Sequence, residues 1–338
     1  FLDISRNIPI WLPPYVDFLQ ISWEVPAACL TAGRDMIFQE ISGPLTRDST
    51  LTRPAGHYQE VSWTSVDLLQ SGAMHDPLLA LFPSPHDADR PWLNCYGADE
   101  RVELTGHVLS MWLAKIAGLI TAESTRGDGV HVGLPPHWRT VAWACGAWSA
   151  GRTVLLGSTE EIDNAGLSPE LSVAFTPEDL CDTAEVQVLV PAASLALRWP
   201  GALPALVLDG AADLMSYPDR FTPVSAPADL PCLTDLCTDL TASGTRGGVL
   251  NGAEPTTLTR RELAARVEAA ATATEGQAGS RAALVRCTRT TQTLQKVLSA
   301  WSAGRTAVVL TPEAGDDVAA AAIRQEGITD STAEARTD

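Results

Sequence analysis

From Asp76 onward the apolar positions recur in a fixed order of short alternating runs and helical stripes. "PWLNCYGADERVEL" alternates about a small polar turn and predicts a β-hairpin over Pro91–Leu104. Thr105 then stands as the N-cap of a helix whose apolar stripe is Val108, Trp112, Ile116 and Leu119. "GDG" closes that helix connection, and "VHVGL" (Val130–Leu134) reads as a strand. "PPHWRTVAWACGAWSAG" is a helix with Val141, Cys145 and Trp148 on one face and Gly151 at C′. "RTVLLG" (Arg152–Gly157) is the next strand. Strand, helix and strand in this order imply a right-handed crossover and a parallel sheet.

The same order returns later in the chain. Leu258-Thr259 matches Leu104-Thr105, and Thr259 with Glu262 has capping-box spacing before a helix through Leu263, Val267 and Ala270. "AALVRC" (Ala282–Cys287) is a strand, "TTQTLQKVLSAWSAG" a helix with Leu294, Val297 and Trp301 inward, and "RTAVVL" a strand. The hexapeptide "WSAGRT" ends the second helix of both copies, at Trp148–Thr153 and Trp301–Thr306. Its roles are structural: Trp packs the helix end on the sheet, Gly permits a left-handed turn, and Arg-Thr opens the strand. Between the copies lie "LSVAFT", "VQVLVPAA" and "ALVLDG" as further strands, and Pro-rich Thr222–Pro231 as a linker. The expected class is α/β, with two similar lobes of parallel sheet and flanking helices. The expected division is an irregular segment 1–72 with one short helix near Tyr15–Ile21, a first lobe 73–221, a linker 222–232, a second lobe 233–330 and a disordered tail 331–338.

Charge narrows the partners. The 338-residue chain has a formal net charge of −18, which repels polyanions and anionic lipid, so nucleic acid and membranes are excluded as expected partners. Lys115 and Lys296 are the only lysines, so lysine-dependent chemistry has two candidates. Seven scattered cysteines without a CxxC fit a reduced, cytoplasmic protein. His131 and His137 flank a strand-to-helix turn without a carboxylate at ligand spacing, so no metal is expected there. Asp209-Gly210 ends a strand, where α/β sites gather, and reads also as a plain turn.

"DLTASGTRGGVL" (Asp239–Leu250) stands before the second helical copy. Small hydroxyl residues and glycines let backbone N–H groups approach phosphate oxygens. The candidate phosphate-binding residues are therefore Thr241, Ser243, Gly244, Thr245, Arg246 and Gly247, with Arg260 and Arg261 as nearby charge; no catalytic residue is assigned.

The run from Ala98 to Gly157, the loop "TASGTRGG" and the helix "LTRRELAARVEAAA" together resemble the opening of adenylate-forming enzymes, the AMP-binding superfamily of acyl-CoA synthetases and related ligases. "DLMSYPDRFTP" and "PPHWRTVAWACGAW" resemble an uncharacterised actinobacterial family distantly similar to those enzymes. The resemblance covers roughly Asp76 to Ile328 and implies a truncated N-terminal portion of that fold, with ATP or AMP as the ligand class. The superfamily loop continues into a Pro-Lys-Gly step, whereas Gly247-Gly248 here runs into Val249. The later adenine, magnesium and ribose motifs and the lysine-bearing C-terminal domain have no counterpart. Acyl-adenylate synthesis is therefore not expected. Three readings remain open: a weak binder of a nucleotide or phosphorylated ligand, a non-catalytic scaffold or interaction protein, and one half of a split ligase.

Overall fold

The computed structural model describes residues 76–84, 87, 89–125, 127–237, 255–273 and 280–328. Segment 1–72, the tail 331–338 and the glycine-rich run Thr241–Gly247 lie outside the described residues. Among the described residues eleven strands and six α-helices follow in order. The first copy supplies β1 (Pro91–Tyr96), β2 (Arg101–Thr105), α1 (Gly106–Glu123), β3 (Val130–Gly133), α2 (Trp138–Ser149) and β4 (Val154–Leu156). Then come α3 (Thr159–Asn164), β5 (Leu171–Ala174), β6 (Val186–Leu189) and β7 (Leu208–Asp209). The second copy supplies β8 (Pro231–Asp235), β9 (Thr256–Thr259), α4 (Arg260–Ala273), β10 (Ala282–Val285), α5 (Thr290–Ser302) and β11 (Thr306–Leu310), followed by α6 (Asp316–Gln325). The class is α/β, with parallel sheets and flanking helices.

The two copies exchange their hairpins. One sheet has the order β10-β11-β1-β2 and the other β7-β6-β5-β3-β4-β8-β9. The first hairpin therefore extends the second copy's strands, with Leu93 opposite Ala307, and the second extends the first copy's, with Leu233 opposite Val154. Both hairpins carry the same irregularity, between Pro91 and Leu93 and between Pro231 and Leu233. Residues 231–232 of the expected linker are thus strand, and each sheet crosses the repeat boundary.

The repeated hexapeptide fastens this exchange. Trp148 Nε1 donates to the Cys232 carbonyl at 2.7 Å, and Trp301 Nε1 donates to the Trp92 carbonyl at 2.9 Å. Each indole thus reaches the irregular position of the other copy's hairpin. The threonines repeat the pattern one strand residue away, Thr153 Oγ1 to the Pro231 carbonyl at 3.1 Å and Thr306 Oγ1 to the Pro91 carbonyl at 2.7 Å. Gly151 and Gly304 have φ of +74° and +69°, left-handed values that a side chain strains, so each helix turns directly into its strand.

Helix burial departs from the sequence stripes in two places. In α1 Ile116 and Leu119 of the expected stripe are buried, together with Leu109, Leu113 and Ile120, while Val108 and Trp112 are half-buried. Trp112 instead lies edge-on to Trp138 with ring centroids 5.2 Å apart, and covers the Arg139 guanidinium. In α4, Ala271 rather than Ala270 is buried, the i+4 rather than the i+3 position after Val267. α2 is buried on every face. Gly146 lets α1 approach it, since a Cβ there would meet Ile116 Cγ2 at 2.4 Å.

A buried ion pair closes the amino edge of the larger sheet. Arg260, the first residue of α4, pairs with Asp76, and Arg260 Nη2 donates to the Trp148 carbonyl at 3.2 Å. Both side chains are inaccessible to solvent, so removing one leaves an uncompensated charge in the interior.

Trp148→Phe and Trp301→Phe each remove an indole donor and leave a buried carbonyl unpaired, and each is expected to lower stability by about 1–3 kcal/mol. Asp76→Ala is expected to cost about 3–5 kcal/mol. Urea unfolding followed by tryptophan fluorescence for Asp76→Ala, and by circular dichroism for the indole variants, measures each loss.

Candidate functional site at the carboxyl edge of the larger sheet

Strands β3 to β8 of the seven-stranded sheet are parallel, so their carboxyl ends meet at one edge. The chain leaving β3 passes through α2 to β4 on one side, and the chain leaving β5 runs to β6 on the other. Such a reversal opens a crevice at the strand ends, the usual ligand position in open α/β sheets.

A cavity of about 200 Å³ lies beside that reversal, over the ends of β3 and β4, and is bordered by Gly133, Gly157, Ser158, Asp179, Cys237 and Thr290. A second, of about 450 Å³, adjoins Ser158, Glu161, Leu236 and Pro255. The segment carrying Thr241, Ser243, Gly244, Thr245, Arg246 and Gly247 leaves the described chain at Cys237 and re-enters at Pro255. Its two ends therefore border the two cavities, at the end of the β8–β9 hairpin where the two strands are connected.

The root of that segment is held by charge. Arg289, preceding α5, donates from Nη2 to the Cys237 carbonyl at 2.9 Å and reaches Asp235 Oδ2 at 3.4 Å. Asp235 also accepts from the Cys237 amide at 3.1 Å and from the Thr291 hydroxyl. Thr290 Oγ1 donates to the Leu134 carbonyl at 3.1 Å. These bonds dock the amino end of α5, from one sheet, on the strand ends of the other. Sequence reasoning passed over Asp235 and Arg289, which are 54 residues apart. The available signal was an arginine directly before a Thr-Thr helix start.

Arg260 and Arg261 are not part of this edge. β9 runs antiparallel to β8, so Arg260 lies by Leu230 and Arg261 by Ala228, about 17 Å or more of chain away from Asp235. Arg260 is committed to Asp76, and Arg261 pairs with Asp229 at the surface. Lys115 is buried and tied to Asp219 at 2.6 Å and to the Tyr217 carbonyl at 2.7 Å. Lys296 is exposed on α5. Asp209 accepts from the amides of Trp199, Ala211 and Ala212, which makes it the organiser of its own turn.

The two strand-turn histidines serve the interior. His131 Nε2 donates to the Gly157 carbonyl at 3.0 Å, leaving Nδ1 to accept from Ser172 Oγ at 2.9 Å or from the Cys181 thiol at 3.2 Å. Burial lowers the His131 pKa and raises that of Cys181 to about 11, so this pair is neutral and not an activated nucleophile. His137 caps α2, with Nδ1 accepting from the Arg139 amide at 3.1 Å. Burial, and then the neighbouring Arg139 charge, bring its pKa down to about 4. Glu100, in the β1–β2 turn, lies 3.9 Å away and accepts from Ser194 Oγ at 2.7 Å, linking the two sheets. Among the described residues no three His, Cys, Asp or Glu side chains gather as a metal site. Also among them, no helix is long and apolar enough to cross a membrane.

Comparison with known proteins assigns the fold. No protein-family model matches the chain. A curated "TIGR03089 family protein" of Mycobacterium tuberculosis is 34% identical over 90 residues, covering 25% of this chain and 35% of that protein. Among solved structures, an acyl-CoA synthetase of Brucella canis superposes with a TM-score of 0.59 at 16% identity, over 80% of this chain and 50% of its own. Acetoacetyl-CoA synthetase from Streptomyces lividans gives 0.53 at 15% identity, over 70% and 38%. An anthranilate CoA ligase in complex with anthranoyl-AMP gives 0.51 at 14%, over 74% and 47%. The chain spans half or less of the length of each. It has the fold of the adenylate-forming acyl-CoA synthetases.

His137 binds a proton less readily in the folded chain than in the unfolded one. Stability is therefore complete above about pH 6.5 and falls by about 3 kcal/mol as the pH drops toward 4. His137→Asn retains a capping oxygen and is expected to flatten that part of a stability–pH profile, measured by urea unfolding at closely spaced pH values.

Proposed function

We propose that this chain is an adenylate-forming-enzyme-like protein that binds a nucleotide or phosphorylated ligand weakly through Ser243–Gly247 and does not make acyl-adenylates itself. The observation that carries this reading is the position of the segment's ends, Cys237 and Pro255, on two cavities at the carboxyl edge. The likeness in fold to a ligase solved with anthranoyl-AMP supports the ligand class. Weak affinity follows from charge: Asp179, Glu161 and Asp235 surround this edge, while Arg289 is the cation at its root. Loss of ligation follows from the chemistry, because charge developing on the α-phosphate needs a preorganised cation. Gly247-Gly248-Val249 offers no lysine, and Lys115 is bound to Asp219.

A second reading, an interaction protein, is favoured by the β6–β7 connection. It holds Leu195, Leu197 and Leu206 in solvent, 85%, 87% and 99% exposed. Replacing the three by serine separates the readings, because a partner complex is then lost while nucleotide affinity is unchanged.

Titration calorimetry with ATP and with AMP is expected to give dissociation constants in the high-micromolar to millimolar range. Thr245→Ala with Arg246→Ala is expected to weaken binding about tenfold or more, or about 1.4 kcal/mol. No heat and no change in melting temperature at millimolar nucleotide overturns the proposal.

A further inference from the structure

A third cavity, of about 260 Å³, lies away from the carboxyl edge, between α1, the 3₁₀ turn Leu79–Leu81 and the irregular segment at Phe221–Pro223. Its walls are apolar and partly aromatic: Phe82, Leu113 and Phe221 face it, and Phe82 is backed by Trp148 with ring centroids 6.2 Å apart. Ser149, at the carboxyl end of α2, also borders it. The twelve residues of α2 put this cavity about 18 Å from the α2 cap at His137. It is thus separate from the edge assigned to the nucleotide, and an inference about it is independent of that reading.

The polar groups in the wall have a defined sense. Ser84 Oγ donates to the Asp87 carboxylate at 3.0 Å; on the helices, Ser110 Oγ donates its proton to the His107 carbonyl at 2.8 Å, and Ser149 Oγ donates to the Cys145 carbonyl at 2.8 Å. With their single protons spent on helix carbonyls, both hydroxyl oxygens keep lone pairs and act toward the cavity as acceptors only. Among the described residues neither a lysine nor an arginine borders the cavity, so they offer an anion no countercharge there. An apolar cavity of roughly 150 Å³ already admits a benzene-sized molecule. This one has room for a bicyclic ring, and a small number of placed polar groups in an apolar wall is the usual make-up of a small-molecule site.

We infer that this cavity is a binding site for an uncharged aromatic molecule of about ten heavy atoms that carries one N–H or O–H donor. The ring packs between Phe82, Leu113 and Phe221, and the donor meets the oxygen of Ser110 or Ser149. Indole is the probe that matches this description, 1-methylindole lacks the donor, and indole-3-acetate adds a negative charge.

Ligand-observed saturation-transfer NMR and thermal unfolding on the full chain test the site. Indole at low millimolar concentration is expected to give transfer and raise the melting temperature, with at least fivefold weaker binding for 1-methylindole and none for indole-3-acetate. Ser110→Leu, which fills the cavity from the half-exposed face of α1, is expected to abolish the indole effect while ATP titrates as in the parent chain. Ser110→Ala, which keeps the cavity, is the second variant should Ser110→Leu fail to fold, and it is expected to narrow the gap between indole and 1-methylindole. Absence of any indole effect on the folded parent overturns the proposal, as does indole binding unchanged by a folded Ser110→Leu. Equal affinity for indole and 1-methylindole overturns the donor assignment.

Discussion

Two indole N–H groups hold this fold in register. Each closes a helix of one copy against the irregular start of the other copy's hairpin strand, at Cys232 and at Trp92. Because the donor is buried, it has no alternative partner, and the helix end, the left-handed glycine and the following strand are all positioned from it. The hairpin in turn sets the edge strand of the opposite sheet. One hydrogen bond thus fixes four elements, and it does so twice. Arg260 adds a third tie by joining Asp76 to the carbonyl of the same Trp148.

Much of the local structure was legible in the sequence. The period-2 run at Pro91–Leu104, the capping pair Thr259 and Glu262 and the glycines after each tryptophan have local causes, and each forms as read. Which hairpin joins which sheet was not legible, because the two hairpins carry the same pattern and either copy's last strand accepts either edge. The exact stripe of α1 was obscured for a different reason. Trp112 reads as core but serves as a cover for Arg139, a tertiary demand that helical periodicity does not express.

The candidate edge divides in the same way. Composition alone singled out Ser243–Gly247 as a candidate, because glycines and small hydroxyl residues let backbone N–H groups approach phosphate oxygens; the run lies outside the described residues. What stands at its root was hidden: Asp235 and Arg289 meet only after α5 of one sheet docks on the strand ends of the other. Conversely, Arg260 and Arg261 follow that run closely in sequence but lie at the opposite edge of the sheet from Asp235, since an antiparallel strand carries the chain there.

The traded hairpins also dictate an order of assembly during synthesis. Trp92 and its indole partner are 209 positions apart, so β1 and β2 emerge long before β10 and β11 exist to receive them. Until then the first hairpin is an open ribbon with an apolar face, and the first-copy sheet lacks its β8 flank. Late closure of this kind slows folding and exposes strand edges to neighbouring chains. A nascent chain stalled between Asp235 and Thr306 is accordingly a ready target for chaperones and for aggregation.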